Sequence, residues 1–225
     1  MVDDAKTRAT LYLGNKRYSS WSLRGWLPCR LAGLAFDEVV IPLDTPETQA
    51  RIRAVSPSGR VPCLHHDGLV IWDSLAIAEY CAELVPGLWP ADRAARARAR
   101  VVTAEMHAGF LELRRAMFFN VGRLIPGGGR TPGALADIDR IARLWAQTRA
   151  VHGAGGPYLF GDAFTIADAF YAPIVCRFAT WAPELDAAAQ AYADAVWAHP
   201  LVAEWVAAGR AETWRSPRYE ESPAP

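Results

Sequence analysis

The pattern of apolar and polar positions divides the chain into two parts. In the first part, short apolar runs that predict β-strands alternate with longer periodic segments that predict α-helices. The predicted strands cover residues 10–13, 39–41, 63–66 and 69–72, and the predicted helices cover residues 20–32, 47–55 and the segment after residue 73. The order β-α-β-α-β-β-α predicts a small mixed sheet with helices packed against it.

The second part of the chain follows a linker rich in proline and glycine, residues 85–90. No convincing strand comes after it, and apolar residues instead recur at the three- and four-residue spacing of amphipathic helices. Helices are predicted over residues 93–117, 135–152, 166–180, 186–199 and 201–208. The sequence therefore predicts an α/β domain over residues 8–86, followed by an all-α domain over residues 92–215.

Residues 56–81 carry the most specific local signals. An Asp-Gly pair between two apolar runs predicts a hairpin. Pro62 lies directly before the first strand of that hairpin, and Val61–Pro62 is a candidate cis peptide bond that would leave the Val61 backbone free for a ligand. Asp73 and Ser74 then open a helix, which brings together a carboxylate, a hydroxyl and free backbone donors. We therefore expect a site for a zwitterionic, peptide-like ligand.

Hydroxyl groups cluster where the first predicted strand passes into the first helix, at residues 18–22. A hydroxyl at this position can donate to a bound thiolate, and the helix dipole favours the anion. The alternative is that Ser19 or Ser20 does no more than cap the helix.

Composition narrows the class of protein. The 24 basic and 24 acidic residues balance, which gives no electrostatic argument for binding nucleic acid or an anionic membrane. The four cysteines are widely spaced in apolar segments, which indicates reduced, buried thiols and neither a disulfide framework nor a metal site. The polar N-terminus predicts no signal peptide, and no apolar run approaches the ~18 residues of a membrane-spanning helix. We expect a cytoplasmic protein.

Four short motifs occur in one order at compatible intervals. They are SSWSLR at residues 19–24, SP and VP at 56–57 and 61–62, DSLAI at 73–77 and TIADA at 165–169. Together they resemble the cytosolic glutathione S-transferases, in particular the serine-type zeta and tau classes, since SSWSLR is similar to the SSCSWR of zeta-class enzymes. The resemblance covers residues 10 to about 214 and implies a thioredoxin-like N-terminal domain followed by a helical C-terminal domain.

The resemblance implies that the first helix holds the sulfur of glutathione. Ser19 lies five residues before Arg24, as in the zeta and tau patterns, and would hold the sulfur as a thiolate, with Ser20 as the other candidate of the pair. Trp21 would line the same pocket. Trp21 also replaces the cysteine of the zeta motif, which weakens the case for maleylacetoacetate isomerisation.

The remaining parts of glutathione would be bound by the hairpin and the helix after it. Val61, before Pro62, would pair its backbone with the cysteinyl part of the peptide. Asp73 would face the γ-glutamyl ammonium group, and Ser74 would take the carboxylate of the same residue. Either Arg60 or Lys16 would reach the glycyl carboxylate, and the position of Arg60 favours Arg60.

In the helical domain, the family pattern places an electrophile pocket beside the first long helix. Its candidate residues are Met106, His107, Phe110, Arg114 and Phe118, with a purely structural role as the alternative for His107. Asp168 belongs to a Ser/Thr-x-x-Asp capping box and is expected to be a buried cap.

The resemblance favours an enzyme that activates glutathione and adds it to a small hydrophobic electrophile. The alternatives are a glutathione-dependent isomerase, peroxidase or dehalogenase that uses the same site, or a non-catalytic glutathione-binding scaffold. Glutathione is the expected co-substrate, and no metal is expected. The family pattern also implies a homodimer, with residues 93–100 near Glu79 and Glu83 of the second subunit.

Overall fold

The computed structural model describes residues 9–221. Residue 8, where the first domain is predicted to begin, and the polar N-terminus lie outside the described residues. The first domain contains four strands and three helices: β1 (Ala9–Gly14), α1 (Ser20–Leu31), β2 (Phe36–Ile41), α2 (Thr48–Val55), β3 (Cys63–His66), β4 (Leu69–Ile71) and α3 (Ser74–Leu84). This order confirms the predicted β-α-β-α-β-β-α arrangement.

The sheet is mixed, with strand order β2-β1-β3-β4. Strand β1 runs parallel to β2, with Tyr12 opposite Val39, and antiparallel to β3, with Tyr12 opposite Cys63. A helical crossover separates the parallel pair, whereas the Asp67–Gly68 turn connects the antiparallel β3 and β4, as the different geometries of the two pairings require. Both turn residues have a positive φ.

The second domain is helical. It contains α4 (Arg93–Ala108), α5 (Leu111–Ala116), α6 (Pro132–His152), α7 (Ile166–Trp181), α8 (Ala187–Trp197), α9 (Pro200–Ala211) and the short α10 (Pro217–Glu220). Helix α7 is buried along almost its whole length and packs against α4, α8 and α1 of the first domain. No helix within residues 9–221 is long and apolar enough to cross a membrane.

Asp168 fixes the beginning of α7. Its two carboxylate oxygens accept hydrogen bonds from the backbone of Leu159 and Thr165, the hydroxyl of Thr165 and the hydroxyl of Tyr192, all at 2.9–3.0 Å. The side chain is completely buried, and burial raises its pKa. The predicted role of Asp168 as a buried helix cap is confirmed.

The predicted helix over residues 93–117 is wrong, because the chain breaks into α4 and α5 at Gly109 and Phe110. A Cβ atom on Gly109 would lie 2.7 Å from the carbonyl oxygen of Glu105, and Phe110 adopts a left-handed backbone with a φ of 61°. The guanidinium of Arg114 provides hydrogen bonds to carbonyl groups at the end of α4, since it donates to those of Met106 and Gly109. Apolar spacing alone does not reveal this interruption.

Helix α1 joins the two domains. Its side chains Leu23, Trp26 and Leu27 are buried, and it packs against α3 on one side and α7 on the other. Arg24, also fully buried, donates from Nε to the carbonyl of Phe170 at 3.1 Å. The beginning of α1 is therefore held at the junction of the domains, where both can contribute to a site.

Candidate functional site

Ser19 and Ser20 lie at the N-terminus of α1 but make different hydrogen bonds. Ser19 is the N-cap: its Oγ accepts from the Ser22 backbone at 3.2 Å and donates to the Ser22 hydroxyl at 2.8 Å. Ser20 is the first helical residue, and its Oγ accepts from Nη2 of Arg177 at 3.2 Å. Both hydroxyl-bearing residues border the same cavity.

Trp21 contacts two guanidinium groups. The central carbon of Arg24 is 4.8 Å from the indole centroid, and that of Arg114 is 4.9 Å from it. The ring of His107 meets the same indole edge-to-face at 5.4 Å. The large aromatic ring therefore offers its π surface to two positive charges, which a cysteine side chain could not do.

The Val61–Pro62 peptide bond is cis, as the sequence predicts. Pro62 is buried against α1, where a Cβ atom on Gly25 would lie 2.6 Å from its Cγ, so only glycine fits at that position. Val61 is half-buried, and no partner for its backbone N–H or C=O is found among residues 9–221. The bend thus presents a free donor and acceptor to a ligand.

Asp73 and Ser74 open α3 next to this bend. One oxygen of Asp73 accepts from the Leu75 backbone at 2.9 Å, and the other lies 3.0 Å from Nε2 of His107. The Ser74 hydroxyl is buried, and it has no hydrogen-bond partner within the described part of the chain. A buried, unpaired hydroxyl is costly, so it marks a position where a polar ligand would be stabilising.

The two candidates for the glycyl carboxylate differ in availability. Lys16 forms an ion pair with Glu38 at 2.5 Å and lies over the rings of Trp26 and Trp205. Arg60 is exposed and directly precedes Val61. The charge of Lys16 is therefore already paired at the domain junction, which favours Arg60 as the residue that would reach the glycyl carboxylate.

A cavity of about 510 Å³ lies beside Ser19 and Ser20. Its other lining residues are Tyr18, Trp21, Leu43, Leu111, Arg114, Arg115, Phe118, Phe119, Arg177, Arg218 and Tyr219. Arg114 and Phe118 were expected here from the sequence, and His107 borders Trp21 and Asp73 instead. The lining contains four arginines and no acidic side chain.

Met106 and Phe110, which the sequence placed in the electrophile pocket, do not line this cavity. Met106 is completely buried and Phe110 almost so, and both belong to the hydrophobic core of the helical domain. The break at Gly109 and Phe110 interrupts the helix, so residues beyond it no longer continue the face that helical spacing predicts. Their role is packing.

Three arginines near the cavity, the buried Arg24 and Arg177 and the half-buried Arg114, form no ion pair with a carboxylate among residues 9–221, although Asp137 partly raises the pKa of Arg114. Burial lowers the pKa of Arg177 to about 9, with a further contribution from the positive charge of Arg114. Burial likewise lowers the pKa of Arg114 to about 10, and that of Arg24 well below its usual range. Nη1 and Nη2 of Arg24 and Nη1 of Arg114 have no hydrogen-bond partner in the described structure. These groups would be stabilised by an anion in the cavity.

The C-terminal segment closes one side of the cavity. Tyr219 stacks on Tyr18 with ring centroids 5.3 Å apart. Glu220 accepts from the Tyr18 hydroxyl at 2.6 Å and from Nε of Arg17 at 3.0 Å. Sequence reasoning missed this segment, because its polar residues carry no periodic signal.

Arg177 was also missed, although the sequence does carry a signal for it. It is the one basic residue of the mostly apolar helix α7, and such a charge is buried only where it has a specific role or partner.

The four cysteines are free and buried, as expected. Burial raises the pKa of Cys176 to about 12 and also raises that of Cys63. Neither thiol is therefore a nucleophile at neutral pH. No cluster of three or more His, Cys, Asp or Glu residues suited to a metal ion occurs within residues 9–221.

Comparisons with known proteins agree with this geometry. Residues 18–84 match the family model of the glutathione S-transferase N-terminal domain, and residues 128–208 match that of the C-terminal domain. A probable maleylacetoacetate isomerase of Caenorhabditis elegans is 28% identical over 171 residues, which are 75% of this chain and 78% of the relative.

Solved structures show the same fold across both domains. A glutathione transferase homologue of Burkholderia with bound glutathione has a TM-score of 0.69 and 25% identity, covering 91% of this chain and 99% of that one. A theta-class glutathione S-transferase of Xanthomonas axonopodis pv. citri, also with glutathione bound, has a TM-score of 0.62 and 26% identity, covering 88% and 96%. The two family models and these likenesses span both domains, and the chain belongs to the glutathione S-transferase family.

Proposed function

We propose that this enzyme binds glutathione along the bend before β3 and the N-termini of α1 and α3, and activates it as a thiolate. Asp73 binds the γ-glutamyl ammonium group, and the unpaired Ser74 hydroxyl donates to the carboxylate of the same residue. The free backbone groups of Val61 pair with the cysteinyl residue, and Arg60 binds the glycyl carboxylate. The support for this arrangement is that a buried hydroxyl and a backbone donor and acceptor lack partners without a ligand.

The sulfur would lie at the N-terminus of α1, beside Ser19 and Ser20. The backbone N–H groups of Ser20 and Trp21 have no acceptor among the described residues, and the helix dipole adds partial positive charge. A free thiol has a pKa near ~8.5, and a helix N-terminus with neighbouring cations lowers such values to about 7 or less. The site therefore favours the reactive thiolate at neutral pH.

We further propose that the second substrate is an anionic electrophile. The single observation that carries this step is the cationic cavity next to the two serines, with Arg114, Arg115, Arg177 and Arg218 in its lining. The aromatic rings of Trp21 and Phe118 provide apolar surface for the rest of the molecule. The sequence predicts a small hydrophobic electrophile, and we propose that this electrophile also carries a carboxylate.

The chemistry requires only the thiolate and the electrophile. The sulfur forms a bond to an electron-poor carbon, and the electron pair displaced from that carbon leaves with a leaving group or moves into an adjacent carbonyl system. In an isomerisation, the same addition converts a double bond to a single bond, which rotates before the thiolate is expelled again. Guanidinium groups would stabilise the negative charge that develops on the electrophile.

Isomerisation is the second candidate function, favoured by the relative that is named a probable maleylacetoacetate isomerase. That name denotes an acid, which agrees with the arginines of the cavity. The bulky Trp21 occupies the position of the cysteine of the zeta motif, so this site differs from the zeta pattern at that residue.

The test is a matched pair of electrophiles, a chloronitrobenzoate and its carboxamide, each assayed with glutathione. Attraction to the arginines predicts a kcat/KM for the acid at least about 10-fold higher than that for the amide. A preference for the amide would contradict the proposal. An unsaturated cis-dicarboxylate, followed by chromatography of its trans isomer, separates isomerisation from stable conjugation.

We also propose a homodimer and a cytoplasmic location. Leu69, Val70 and Trp72 are at least 41% exposed along the edge strand β4 and just after it, where a second copy would cover them. The partner contact expected for Glu79 has a competitor, since Arg100 of the same chain lies 3.3 Å from it. Light scattering tests the dimer.

Four free, buried cysteines support a reducing compartment, which fractionation of the native cell would test.

A further inference from the structure

The two adjacent serines of the site differ in the direction in which their protons point. The Ser19 hydroxyl donates to Ser22 Oγ at 2.8 Å, and Ser22 Oγ also accepts from the Gly14 backbone at 2.9 Å. Ser22 thereby connects the end of β1 to the first turn of α1, and Ser19 is hydrogen-bonded to Ser22. The Ser19 proton is used inside this network.

The Ser20 hydroxyl differs from that of Ser19 in the part of the group that is hydrogen-bonded. Its oxygen accepts from Nη2 of Arg177 at 3.2 Å, and its own proton has no acceptor among residues 9–221. Ser20 is only 5% exposed, and the open space that it faces is the cavity. A hydroxyl that accepts from a cation is a stronger donor, because the bond withdraws electron density from the oxygen.

Arg177 is fixed in the orientation that this contact requires. Its Nε donates to the Met117 carbonyl at 2.9 Å and its Nη1 lies 3.4 Å from the Pro173 carbonyl. Phe119 covers the guanidinium, with the ring centroid 5.4 Å from its central carbon. Two backbone contacts and one ring leave the guanidinium little freedom, so its third contact, to Ser20, is preorganised.

The charge of Arg177 has no carboxylate to neutralise it in the described part of the chain. The titratable groups that act on it are Arg114, Cys176 and Tyr219, and Arg24 is a further cation that interacts with it. A thiolate next to Ser20 would supply the missing negative charge. The site is therefore incomplete, electrostatically, without an anion on this side of Ser20.

We propose that Ser20 is the catalytic hydroxyl, that Arg177 is its positioning residue, and that Ser19 is the structural cap of α1. The inference rests on the proposed glutathione site and deepens it. The thiol of glutathione releases its proton to solvent, and the resulting thiolate accepts a hydrogen bond from Ser20, whose oxygen continues to accept from Arg177. No proton moves between Ser20 and the sulfur.

The experiment measures the ultraviolet absorbance of the bound thiolate as a function of pH in Ser20→Ala, Ser20→Thr and Ser19→Ala. Ser20→Ala is expected to raise the pH at which bound glutathione ionises by about 1 pH unit or more and to lower kcat about 10²-fold. Ser20→Thr keeps the hydroxyl and is expected to restore most of both. Ser19→Ala is expected to lower the melting temperature while the ionisation of bound glutathione stays at its wild-type pH.

Arg177→Lys tests the positioning role, with circular dichroism as the check on folding. It is expected to shift the ionisation of bound glutathione upward in the wild-type background but to add little in the Ser20→Ala background, because both changes act through one hydrogen bond. If Arg177→Lys does not fold, the two Ser20 variants carry the test on their own.

Two results would overturn different statements. If wild-type protein does not bind glutathione in calorimetry, the proposed function fails. If glutathione binds, but Ser19→Ala shifts its ionisation and Ser20→Ala does not, the proposed function stands and the assignment of Ser20 fails.

Discussion

His107 of α4 and Asp73 at the start of α3 contact each other across the domain junction, with Nε2 and Oδ2 3.0 Å apart. The sequence assigned the two residues to separate pockets, one for the electrophile and one for glutathione. Their contact makes the helical domain part of the surroundings of the ammonium site. Nδ1 of His107 is buried without a hydrogen-bond partner among residues 9–221, so the ring is held by Asp73 and by the indole of Trp21.

Asp73→Ala is expected to raise the KM for glutathione about 10-fold and to change kcat less. The ammonium group that Asp73 binds is remote from the sulfur, so its loss affects the bound ground state and the transition state equally. Steady-state kinetics at varied glutathione concentration measures the effect. Glu83→Ala removes an exposed carboxylate from the same helix and serves as the control. An unchanged KM in Asp73→Ala would refute the ammonium assignment.

Arg218→Ala is expected to reduce the preference for an acid electrophile over its amide by about 3- to 10-fold. Arg218 borders the cavity and contributes charge there without the buried backbone contacts that hold Arg114 and Arg177. The measured quantity is the ratio of the two kcat/KM values. Arg215→Ala is the matched control, since Arg215 is exposed nearby and, among residues 9–221, donates hydrogen bonds only to the carbonyls of Glu212 and Trp214. Equal ratios in the two variants would argue against a cationic electrophile site.

Glu220→Gln is expected to loosen the C-terminal segment. Burial raises the pKa of Glu220, but the hydrogen bonds from Tyr18 and Arg17 outweigh it, so the pKa of the folded state lies below the ordinary value. The contribution of Glu220 to stability is therefore present above the ordinary carboxyl pKa and lost as the pH falls through the lower folded value. Hydrogen exchange of α10 measures this opening in wild-type protein at falling pH, and in the variant at neutral pH.

Glu221→Gln changes the next residue and serves as the control for that measurement. The account predicts faster exchange in Glu220→Gln and a higher KM for the electrophile, because Tyr219 forms one wall of the cavity. Protection of α10 that is identical in both variants would show that Glu220 does not hold the segment.

Asp168→Ala is expected to destabilise the protein by about 3 kcal/mol or more, since four buried donors lose their acceptor. Asp186→Ala removes an exposed helix cap with one backbone contact and is expected to cost only about 1 kcal/mol. Urea unfolding followed by circular dichroism compares the two. Losses of equal size would mean that the buried network of Asp168 adds nothing beyond an ordinary cap.

Local signals in the sequence predicted the parts of this fold that depend on few residues. The hairpin turn at Asp67, the cis bond before Pro62 and the caps at Asp73 and Asp168 each follow from the chemistry of one or two neighbouring residues. The helix boundaries were predicted to within a few residues, except where Gly109 interrupts the pattern.

Contacts between distant residues could not be predicted in the same way. Arg177 reaches Ser20 across 157 positions, and Glu220 reaches Tyr18 across 202. Helical spacing placed Met106 and Arg114 near one face, but it does not say which side of that face meets a cavity and which meets the core. These choices depend on how the two domains pack, which no local pattern contains.

The measurement that tests the central claim most directly is the ionisation of glutathione bound to the wild-type protein. Calorimetry first establishes the concentration at which the protein is saturated, and ultraviolet absorbance of the thiolate is then recorded across pH. The account predicts that bound glutathione ionises at a pKa of about 7 or below, well under the ~8.5 of a free thiol. Saturable binding with ionisation at the value of the free thiol would contradict it.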